Sequence, residues 1–245
     1  MEFDYRKKLF QSYASTHVKF IRMDERIQAH LEWYHRYLSE NYLTYINPYD
    51  RNLTKILEIG CFRGYLLSTL SSLGFKNLSG IDLSPDDIKI AEQIVPDAQL
   101  TCIDANHFLD SHKELYDVII LKAVLEHICK NDVMPLLNKL KQHLTPTGIV
   151  IVDVPNMDWL FAPHERYMDF SHEIGFTPES LYQVMSNVFS DVKISAVDSV
   201  YPSSLKDSIK QKFARFILSK LLYWADPQGA SASIWARSII GVGKR

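Results

Sequence analysis

The sequence predicts an α/β domain built on a doubly wound sheet whose strands are mostly parallel. Short apolar runs alternate with segments of helical spacing along most of the chain. The runs are almost continuously apolar, as expected of strands that helices cover on both faces. Glycine or an acidic residue follows several of them. We therefore expect ligand-binding residues at the carboxyl ends of the strands, where ligands of such sheets bind.

The composition is that of a globular protein in a reducing compartment. Of 245 residues, 47% are hydrophobic and 23% are charged, and the formal net charge is −2. Because binding to phosphate backbones requires a basic excess, we expect no nucleic-acid partner. Cys61, Cys102 and Cys129 form no CxxC pair, which argues against a disulfide framework or a structural zinc site. With neither a signal-like apolar stretch nor about 18 consecutive apolar residues, the chain is expected to be cytoplasmic.

Residues 1–50 are predicted to form a helical extension that acts as a lid on the acceptor side of the site. Ile27, Leu31, Tyr34 and Leu38 recur at steps of three and four, which favours an amphipathic helix. Turn residues at 47–50 end the extension. Its aromatic residues either wall an apolar pocket or form a packed face; they are Phe3, Tyr5, Phe10, Tyr13 and Phe20.

Residues 51–245 are predicted to carry the sheet and its ligand sites. Ser84 is expected to cap a helix that has Pro85 in its first turn. A second helix, over 132–144, is expected to end at the turn sequence 145–148. The predicted strands are 53–59, 78–81 (followed by Asp82), 99–103, 116–121 and 149–153.

The most informative stretch is the strand-to-helix turn after the first strand. Gly60 and Gly64 allow a sharp turn there and a close approach of a ligand to the backbone. Asp82, at the end of the second strand, can accept both ribose hydroxyls of an adenosine. A dinucleotide fingerprint starting at Gly60 would need glycine at the positions of Phe62 and Tyr65, and no Gly-Lys-Ser/Thr follows. The dinucleotide fingerprint therefore fails at two positions, and the phosphate-binding Walker pattern is absent as well.

These residues resemble the first motif of the class I S-adenosylmethionine-dependent methyltransferases, an acid followed by three alternating glycines. Glu58, Gly60 and Gly64 match, while Phe62 stands in place of the middle glycine. The resemblance implies a Rossmann-like sheet of seven strands, the last antiparallel and paired with 192–197. It also implies S-adenosylmethionine as cofactor and S-adenosylhomocysteine as product. The implied cofactor-binding residues are Glu58, Gly60, Cys61, Gly64, Asp82, Leu83, Asp104, Ala105 and Lys122.

Phe62 leaves two alternatives open. Its side chain could narrow the methionine pocket, or it could point into the helix packing behind the loop. A non-catalytic interaction protein that keeps the fold is therefore an alternative to the enzyme. An NAD-dependent oxidoreductase is a further one, and it predicts that NAD binds more tightly than S-adenosylhomocysteine.

The insertion at 155–176 follows the fifth strand, where acceptor-binding segments lie in this fold. Residues 171–181 resemble the TH…FxxPxxL segment of ubiquinone-type O-methyltransferases. Arg166, Asp169, Phe170 and His172-Glu173 are still more similar to a run in methyltransferases of bacterial polysaccharide gene clusters, with Ser171 in place of threonine. This likeness implies O-methylation of a sugar or of a polysaccharide or lipopolysaccharide intermediate. The alternative acceptor is a lipophilic small molecule, such as a quinone phenol or a natural product. The expected substrate-binding residues are Glu126, Asn156, Arg166, Asp169 and Glu173.

Methyl transfer to a hydroxyl needs a base, and histidine is the usual one near neutral pH. His172 is the first candidate, and His127 and His164 are the alternatives. A histidine here could instead tie the lid to the loop after the fourth strand. Glu126, His127 and Asp153 lack a defined ligand spacing, so no required metal is expected.

Residues 204–224 are predicted to form a basic amphipathic helix. Apolar and aromatic residues recur at helical steps, and five basic residues against one acidic residue give the segment a charge of +4. Such a helix suits a membrane surface, here the inner membrane face, or a lipid-linked glycan. The competing interpretation is that its apolar face packs on the domain or on a second subunit, as in a homodimer.

Overall fold

The computed structural model describes residues 8–10, 12–19, 27–197, 199, 201, 204–225 and 235–245. It confirms the predicted fold class: a seven-stranded sheet has the order β3-β2-β1-β4-β5-β7-β6, and β7 runs antiparallel to both of its neighbours. The strands are β1 (Lys55–Ile59), β2 (Asn77–Asp82), β3 (Gln99–Cys102), β4 (Tyr116–Lys122), β5 (Leu144–Pro155), β6 (Ser190–Val197) and β7 (Ser238–Lys244).

Helices cover both faces of the sheet and precede it at the N-terminal side. They are α1 (Ile27–Asn41), α2 (Leu43–Ile46), α3 (Tyr65–Ser72), α4 (Pro85–Ile94), α5 (Ala105–Ser111), α6 (Lys130–Gln142), α7 (Ala162–Tyr167), α8 (Pro178–Ser186) and α9 (Leu205–Ala225). A π-helical turn at Ala14–Val18 and a 3-10 turn at Leu125–His127 complete the described elements.

The apolar runs form strands because each contributes side chains to two separate cores. Ile56 packs into the core on one face of the sheet, while its neighbour Leu57 packs into the core on the other face. Val118 and Ile119 divide in the same way in the adjacent strand β4. Successive strand residues point to opposite faces, so burial on both faces requires the nearly continuous apolar runs seen in the sequence.

The start of α4 confirms the predicted cap at Ser84, and α8 begins with a second cap. The Ser84 hydroxyl accepts a hydrogen bond from the backbone N–H of Asp87, and Pro85 occupies the first position of α4. Thr177 forms a reciprocal capping box with Ser180 at the start of α8. Each cap pairs backbone N–H groups that the first helical turn leaves without partners.

The N-terminal helices belong to the same core as the sheet. Tyr37 and Leu38 of α1, together with Tyr42 and Ile46, are buried against residues such as Ile56. The predicted division at residue 50 is therefore not a break between two hydrophobic cores. Phe3, Tyr5 and Phe20 of the predicted aromatic wall lie outside the described residues.

Several predicted boundaries were wrong. The strand expected at 149–153 spans Leu144–Pro155, because Leu144 already pairs with Tyr116 and the register shifts before Val118. The turn residues at 145–148 are thus absorbed into β5, and the preceding helix ends at Gln142 rather than at residue 144. The first strand begins at Lys55 rather than at residue 53, after a turn in which Asp50 accepts the N–H groups of residues 52 and 53. The last strand, which begins at Ser238, pairs antiparallel with the strand that contains 192–197, as expected.

The predicted helix at 204–224 is present as α9, and none of its side chains is buried. In the described part of the chain it touches Trp235, whose indole N–H donates to the Ser219 hydroxyl over 2.9 Å. Searched for a span across a membrane, the described helices offer none that is long and apolar enough.

Candidate active site

A cavity of about 610 Å³ opens at the carboxyl ends of the parallel strands. Eight of the nine residues predicted to bind the cofactor line it: Glu58, Gly60, Cys61, Asp82, Leu83, Asp104, Ala105 and Lys122. The ninth, Gly64, lies behind the loop, where a Cβ would come within 2.9 Å of the Val95 side chain. It serves close packing of α3 against α4 rather than contact with the cavity.

The loop after β1 is held in a tight turn beside Asp82. Gly60 has φ +73°, and a Cβ there would come within 2.3 Å of the Val124 side chain. Phe62 also adopts a left-handed backbone, at φ 47°, and its N–H donates to Oδ2 of Asp82 over 2.8 Å. The other carboxylate oxygen of Asp82 accepts from the N–H of Ser84 over 2.8 Å. Asp82 is thereby fixed in orientation while it lines the cavity.

Phe62 does not decide between the two alternatives that the sequence left open, and its effect on the methionine pocket stays a prediction. It lines the cavity, and its ring also meets Tyr65 edge-on with centroids 6.1 Å apart. The neighbouring Arg63 forms a buried ion pair with Asp87 over 3.0 Å, a contact that the sequence did not predict. This pair ties the loop to α4.

Lys122 lines the cavity and interacts with two buried carboxylates, Glu58 and Asp153. Burial and the charge of Asp82 raise the pKa of Glu58 well above its usual value, and Oε2 of Glu58 has no hydrogen-bond partner within the described residues. Nζ of Lys122 lies 3.1 Å from Oδ2 of Asp153. The same oxygen accepts hydrogen bonds from the hydroxyls of Tyr37 and Tyr42. Lys122 is thus held by Asp153 as well as facing the cavity.

The described residues 8–10 and 12–19, here called the N-terminal segment, contribute to one side of the cavity, and their action as a lid stays a prediction. The residues that this segment contributes to the lining are Phe10, Tyr13, His17 and Val18. The Tyr13 hydroxyl donates to Oδ2 of Asp169 over 2.7 Å, and the His17 ring stacks on Tyr13 at 5.0 Å. The Phe10 ring meets His127 edge-on at 5.6 Å. Tyr13 and Phe10 were noted in the sequence only for their aromatic character, whereas no pattern singled out His17.

His127 is the candidate base that lines the cavity. Its Nδ1 lies 2.9 Å from the Ser171 hydroxyl, which in turn donates to Oδ1 of Asp169 over 2.6 Å. Burial, reinforced by His172, lowers the pKa of His127 to about 4, so the ring is neutral at neutral pH. Ser171 was read from the sequence only as a replacement for threonine, and its contact with His127 was not predicted.

The other two histidines lie outside the described lining of the cavity. The His172 ring is 4.7 Å from that of His127, and its Nδ1 lies 2.9 Å from the backbone oxygen of Glu165. Burial lowers the pKa of His172 as well. His164 is exposed on α7. Of the three candidate bases, the structure places His127 at the cavity, and which of them accepts the proton stays a prediction.

The residues expected to bind the acceptor are mostly engaged in shaping the insertion. The amide of Asn156 is fully buried, donates to the backbone oxygen of Ala236 and accepts from the N–H of Asp158. The Arg166 guanidinium donates to the backbone oxygens of His172 and Glu173. None of Glu126, Asn156, Arg166, Asp169 and Glu173 is among the described residues that line the cavity.

Glu126, His127 and His172 bring together ligand atoms that all lie within 4.8 Å of one another. One carboxylate and two imidazoles form a donor set that a divalent cation accepts. Both carboxylate oxygens of Glu126 are buried without a hydrogen-bond partner within the described residues, and burial raises its pKa to about 8. Asp153, which the sequence analysis considered beside Glu126 and His127, does not belong to this group; its Oδ2 is bound by Lys122 and two tyrosines. That no metal is required stays a prediction.

Comparison with known proteins places this geometry in a family context. A family model described as a methyltransferase domain matches residues 30–188. A ubiquinone biosynthesis O-methyltransferase of Rickettsia typhi is 31% identical over 165 residues, which cover 59% of this chain and 63% of that protein. The match thus spans less than two thirds of the relative's length. A protein of the same description from Rickettsia canadensis is 30% identical over 178 residues, covering 64% of this chain and 70% of that protein.

Solved structures share the fold at lower identity. A SAM-dependent methyltransferase from Archaeoglobus fulgidus superposes with a TM-score of 0.64 at 20% identity, covering 85% of this chain and 93% of that chain. The plantazolicin methyltransferase BpumL in complex with SAH superposes with a TM-score of 0.62 at 20% identity, covering 98% of this chain and 95% of that chain.

Proposed function

Because the chain belongs to the methyltransferase domain family, we propose that it is a class I S-adenosylmethionine-dependent O-methyltransferase whose acceptor is a hydroxyl of an aromatic small molecule. The observation that carries this proposal is the single cavity at the strand ends. Cofactor-type residues from β1, β2 and β4 line one part of it, and aromatic residues of the N-terminal segment line another. A neutral imidazole, His127, lies on the same wall.

The residues present fit S-adenosylmethionine. Asp82 offers a fixed carboxylate for ribose hydroxyls, and the backbone at Gly60 leaves no room for a side chain. The buried Oε2 of Glu58, which lacks a partner within the described residues, suits a hydrogen-bond donor of the ligand. Leu83 is 39% exposed beside Asp82 and offers an apolar surface to a base. When bound, the cofactor supplies an electrophilic methyl group on its sulfonium.

The His127–Ser171–Asp169 contacts support His127 as the base. Because the Ser171 hydroxyl donates to Asp169, it accepts from Nδ1–H of His127. Nε2 is then unprotonated and can take the proton of an acceptor hydroxyl. Ser171 and Asp169 hold this tautomer, much as a carboxylate orients a histidine base in hydrolases.

The shape and chemistry of the wall favour an aromatic acceptor over a sugar. Phe10, Tyr13 and Tyr34 line the cavity, and flat apolar rings pack well against aromatic side chains. The polar residues expected to bind sugar hydroxyls, such as Asn156 and Arg166, are instead bonded to backbone groups. A base of low pKa is also better matched to a phenol, whose pKa is about 10, than to a less acidic sugar hydroxyl. The sugar acceptor suggested by residues 166–181 stays a weaker candidate.

The experiment that tests the proposal is a screen for methyl transfer with a radiolabelled S-adenosylmethionine methyl group. Catechols and long-chain phenols form one arm, and nucleotide-linked and lipid-linked sugars form the other. Label transfer to the phenolic arm supports the aromatic acceptor, whereas transfer only to the sugar arm overturns it. Calorimetry with S-adenosylmethionine, S-adenosylhomocysteine and NAD separates the rivals. The absence of binding heat and of a thermal shift with the first two would overturn the enzyme assignment.

A further inference from the structure

Helix α9 exposes an unusual amount of apolar surface. Leu205, Phe213 and Trp224 are 80%, 65% and 76% exposed. The other large apolar side chains exposed on this helix are Ile209, Phe216, Ile217, Leu218, Leu221 and Tyr223. Soluble proteins rarely leave so many large apolar groups uncovered on one element, so such a surface marks an interaction site.

Basic side chains are interleaved with this apolar surface. Lys206, Lys210, Lys212 and Lys220 are all exposed, and with Arg215 against Asp207 the helix carries +4. Lysine stems can lie along apolar surface while their ammonium groups reach outward to anionic groups. Tyr223 and Trp224 close the helix with aromatic side chains of the kind that settle at the boundary between apolar chains and water.

The topology places α9 at the edge of the sheet that carries the cavity. Ser238, the first residue of β7, pairs with both Pro155 at the end of β5 and Val197 at the end of β6. The connection that contains α9 therefore leaves and re-enters the sheet at its carboxyl edge.

We propose that α9 is a peripheral membrane-binding helix that docks on an anionic bilayer surface. Charge complementarity favours an anionic bilayer, because its lipid phosphates are negatively charged and the helix carries a charge of +4. A second copy of the chain docked through the same helix would bring +4 against +4, and like charges in close apposition are destabilising. Apolar side chains enter the boundary between headgroups and acyl chains, while the lysines contact phosphates. The proposal does not depend on methyl transfer.

Co-sedimentation of the full chain with vesicles tests this docking. Vesicles of phosphatidylglycerol and phosphatidylcholine should bind the protein, vesicles of phosphatidylcholine alone should bind it weakly, and salt should lower the binding. The double variant K206E/K210E removes the net charge of the helix and should lower the partition coefficient about tenfold or more. F213S/F216S should lower it to a comparable degree by removing apolar anchors.

The matched control reverses two exposed lysines elsewhere, K76E/K113E, which changes the net charge of the protein by the same amount. This control should bind anionic vesicles more tightly than K206E/K210E does, and all variants should keep the wild-type unfolding temperature, because none of the altered side chains is buried. Equal losses in both charge variants would overturn the proposal. So would a dimer in sedimentation velocity that F213S/F216S dissociates, because the second copy would then be the occupant. Failure of wild type to bind anionic vesicles would overturn it as well.

Discussion

The phenol of Tyr13 donates a hydrogen bond of 2.7 Å to Oδ2 of Asp169, which joins residues separated by 156 positions in the chain. Although burial works to raise the pKa of Asp169, hydrogen bonds from Ser171 and Tyr13 hold it below its usual value. Oδ1 of the same carboxylate accepts from Ser171, the neighbour of His127. One ionised carboxylate therefore holds Tyr13 of the N-terminal segment and, through Ser171, the proposed base.

Tyr13→Phe tests this connection. Loss of one hydrogen bond should lower the free energy of unfolding by about 1 kcal/mol and raise the acceptor KM, because the lid is no longer fixed to Asp169. Tyr49→Phe is the matched control, because its hydroxyl makes a bond of the same length to Thr147, outside the described lining of the cavity. Denaturant titration and initial-rate kinetics check both effects. An equal change in KM for the two variants would refute the role of the lid.

Asp82→Asn should abolish tight binding of S-adenosylmethionine. The carboxylate accepts the N–H groups of Phe62 and Ser84 and retains lone pairs for ribose hydroxyls, whereas an amide would present N–H donors on one side. Loss of charge-assisted bonds predicts a fall in affinity of about 100-fold or more, measured by calorimetry. Asp86→Asn, on the exposed side of the same loop-helix unit, should bind the cofactor as wild type does. Tight binding by Asp82→Asn would remove Asp82 from the cofactor site.

Phe62 offers a direct test of whether the altered glycine motif still binds the cofactor. At φ 47° the backbone suits glycine, so Phe62→Gly should be about 1 kcal/mol more stable than Phe62→Ala, in which the ring is lost but the strain stays. We expect wild type to bind S-adenosylmethionine and both variants to bind within about tenfold of it. If wild type shows no binding and Phe62→Gly gains it, the chain is a non-catalytic relative whose loop is blocked.

The parts of the site that follow a strand were predictable, because the order of strands alone brings their ends together. Gly60, Asp82 and Asp104 all reach the predicted cavity. Local rules also located the helix cap at Ser84, since a hydroxyl and a proline act on the next few residues. Such features need no knowledge of distant parts of the chain.

Contacts within the insertion were not predictable in this way. Asn156 was expected to face the acceptor, but its buried amide bonds the backbone oxygen of Ala236, 80 positions away. Asp169 was assigned to the acceptor and instead orders Ser171 and Tyr13. A polar side chain in an irregular segment serves either a ligand or a buried backbone group, and only the three-dimensional path decides which.

The raised pKa of Glu126 predicts how the free energy of unfolding depends on pH. Burial raises its pKa to about 8, so the folded protein holds a proton that the unfolded chain releases near its usual pKa of 4.5. Stability from this group is full below pH 4.5 and is lost as pH rises toward 8, with a slope of up to about 1.4 kcal/mol per pH unit. Glu126→Gln should remove that slope and be more stable than wild type at pH 8. Denaturant titrations from pH 5 to 8 measure it.

The control for this prediction is Glu92→Gln, an exposed carboxylate on α4 that should leave the pH dependence unchanged. If Glu126→Gln is equally destabilised at every pH, the carboxylate is ionised and has a partner such as a bound cation. The wild-type titrations are then repeated with a chelator. If a bound cation keeps Glu126 ionised, removing the cation should restore the expected pH dependence of the free energy of unfolding.

The three histidines of the site should differ in their effect on turnover. His127→Ala should lose at least about 100-fold in kcat while keeping affinity for S-adenosylmethionine, because only the proton acceptor is removed. His172→Ala should lose less, since its Nδ1 bonds a backbone oxygen outside the described lining of the cavity. Exposed His164→Ala is the matched control and should retain wild-type rates. A larger loss in His172→Ala than in His127→Ala would reverse the assignment of the base.

Variants of Ser171 test whether this residue positions His127 for proton transfer or only stabilises the fold. Ser171→Ala removes the acceptor of Nδ1–H and should lower kcat about tenfold, whereas Ser171→Thr keeps the hydroxyl and should restore it. The pH profile supplies a second readout. With a pKa of about 4, neutral His127 keeps kcat/KM constant well below pH 6.5, and activity falls only as the ring becomes protonated. A wild-type acid limb near pH 6.5 that neither Ser171 variant shifts would show that another group accepts the proton.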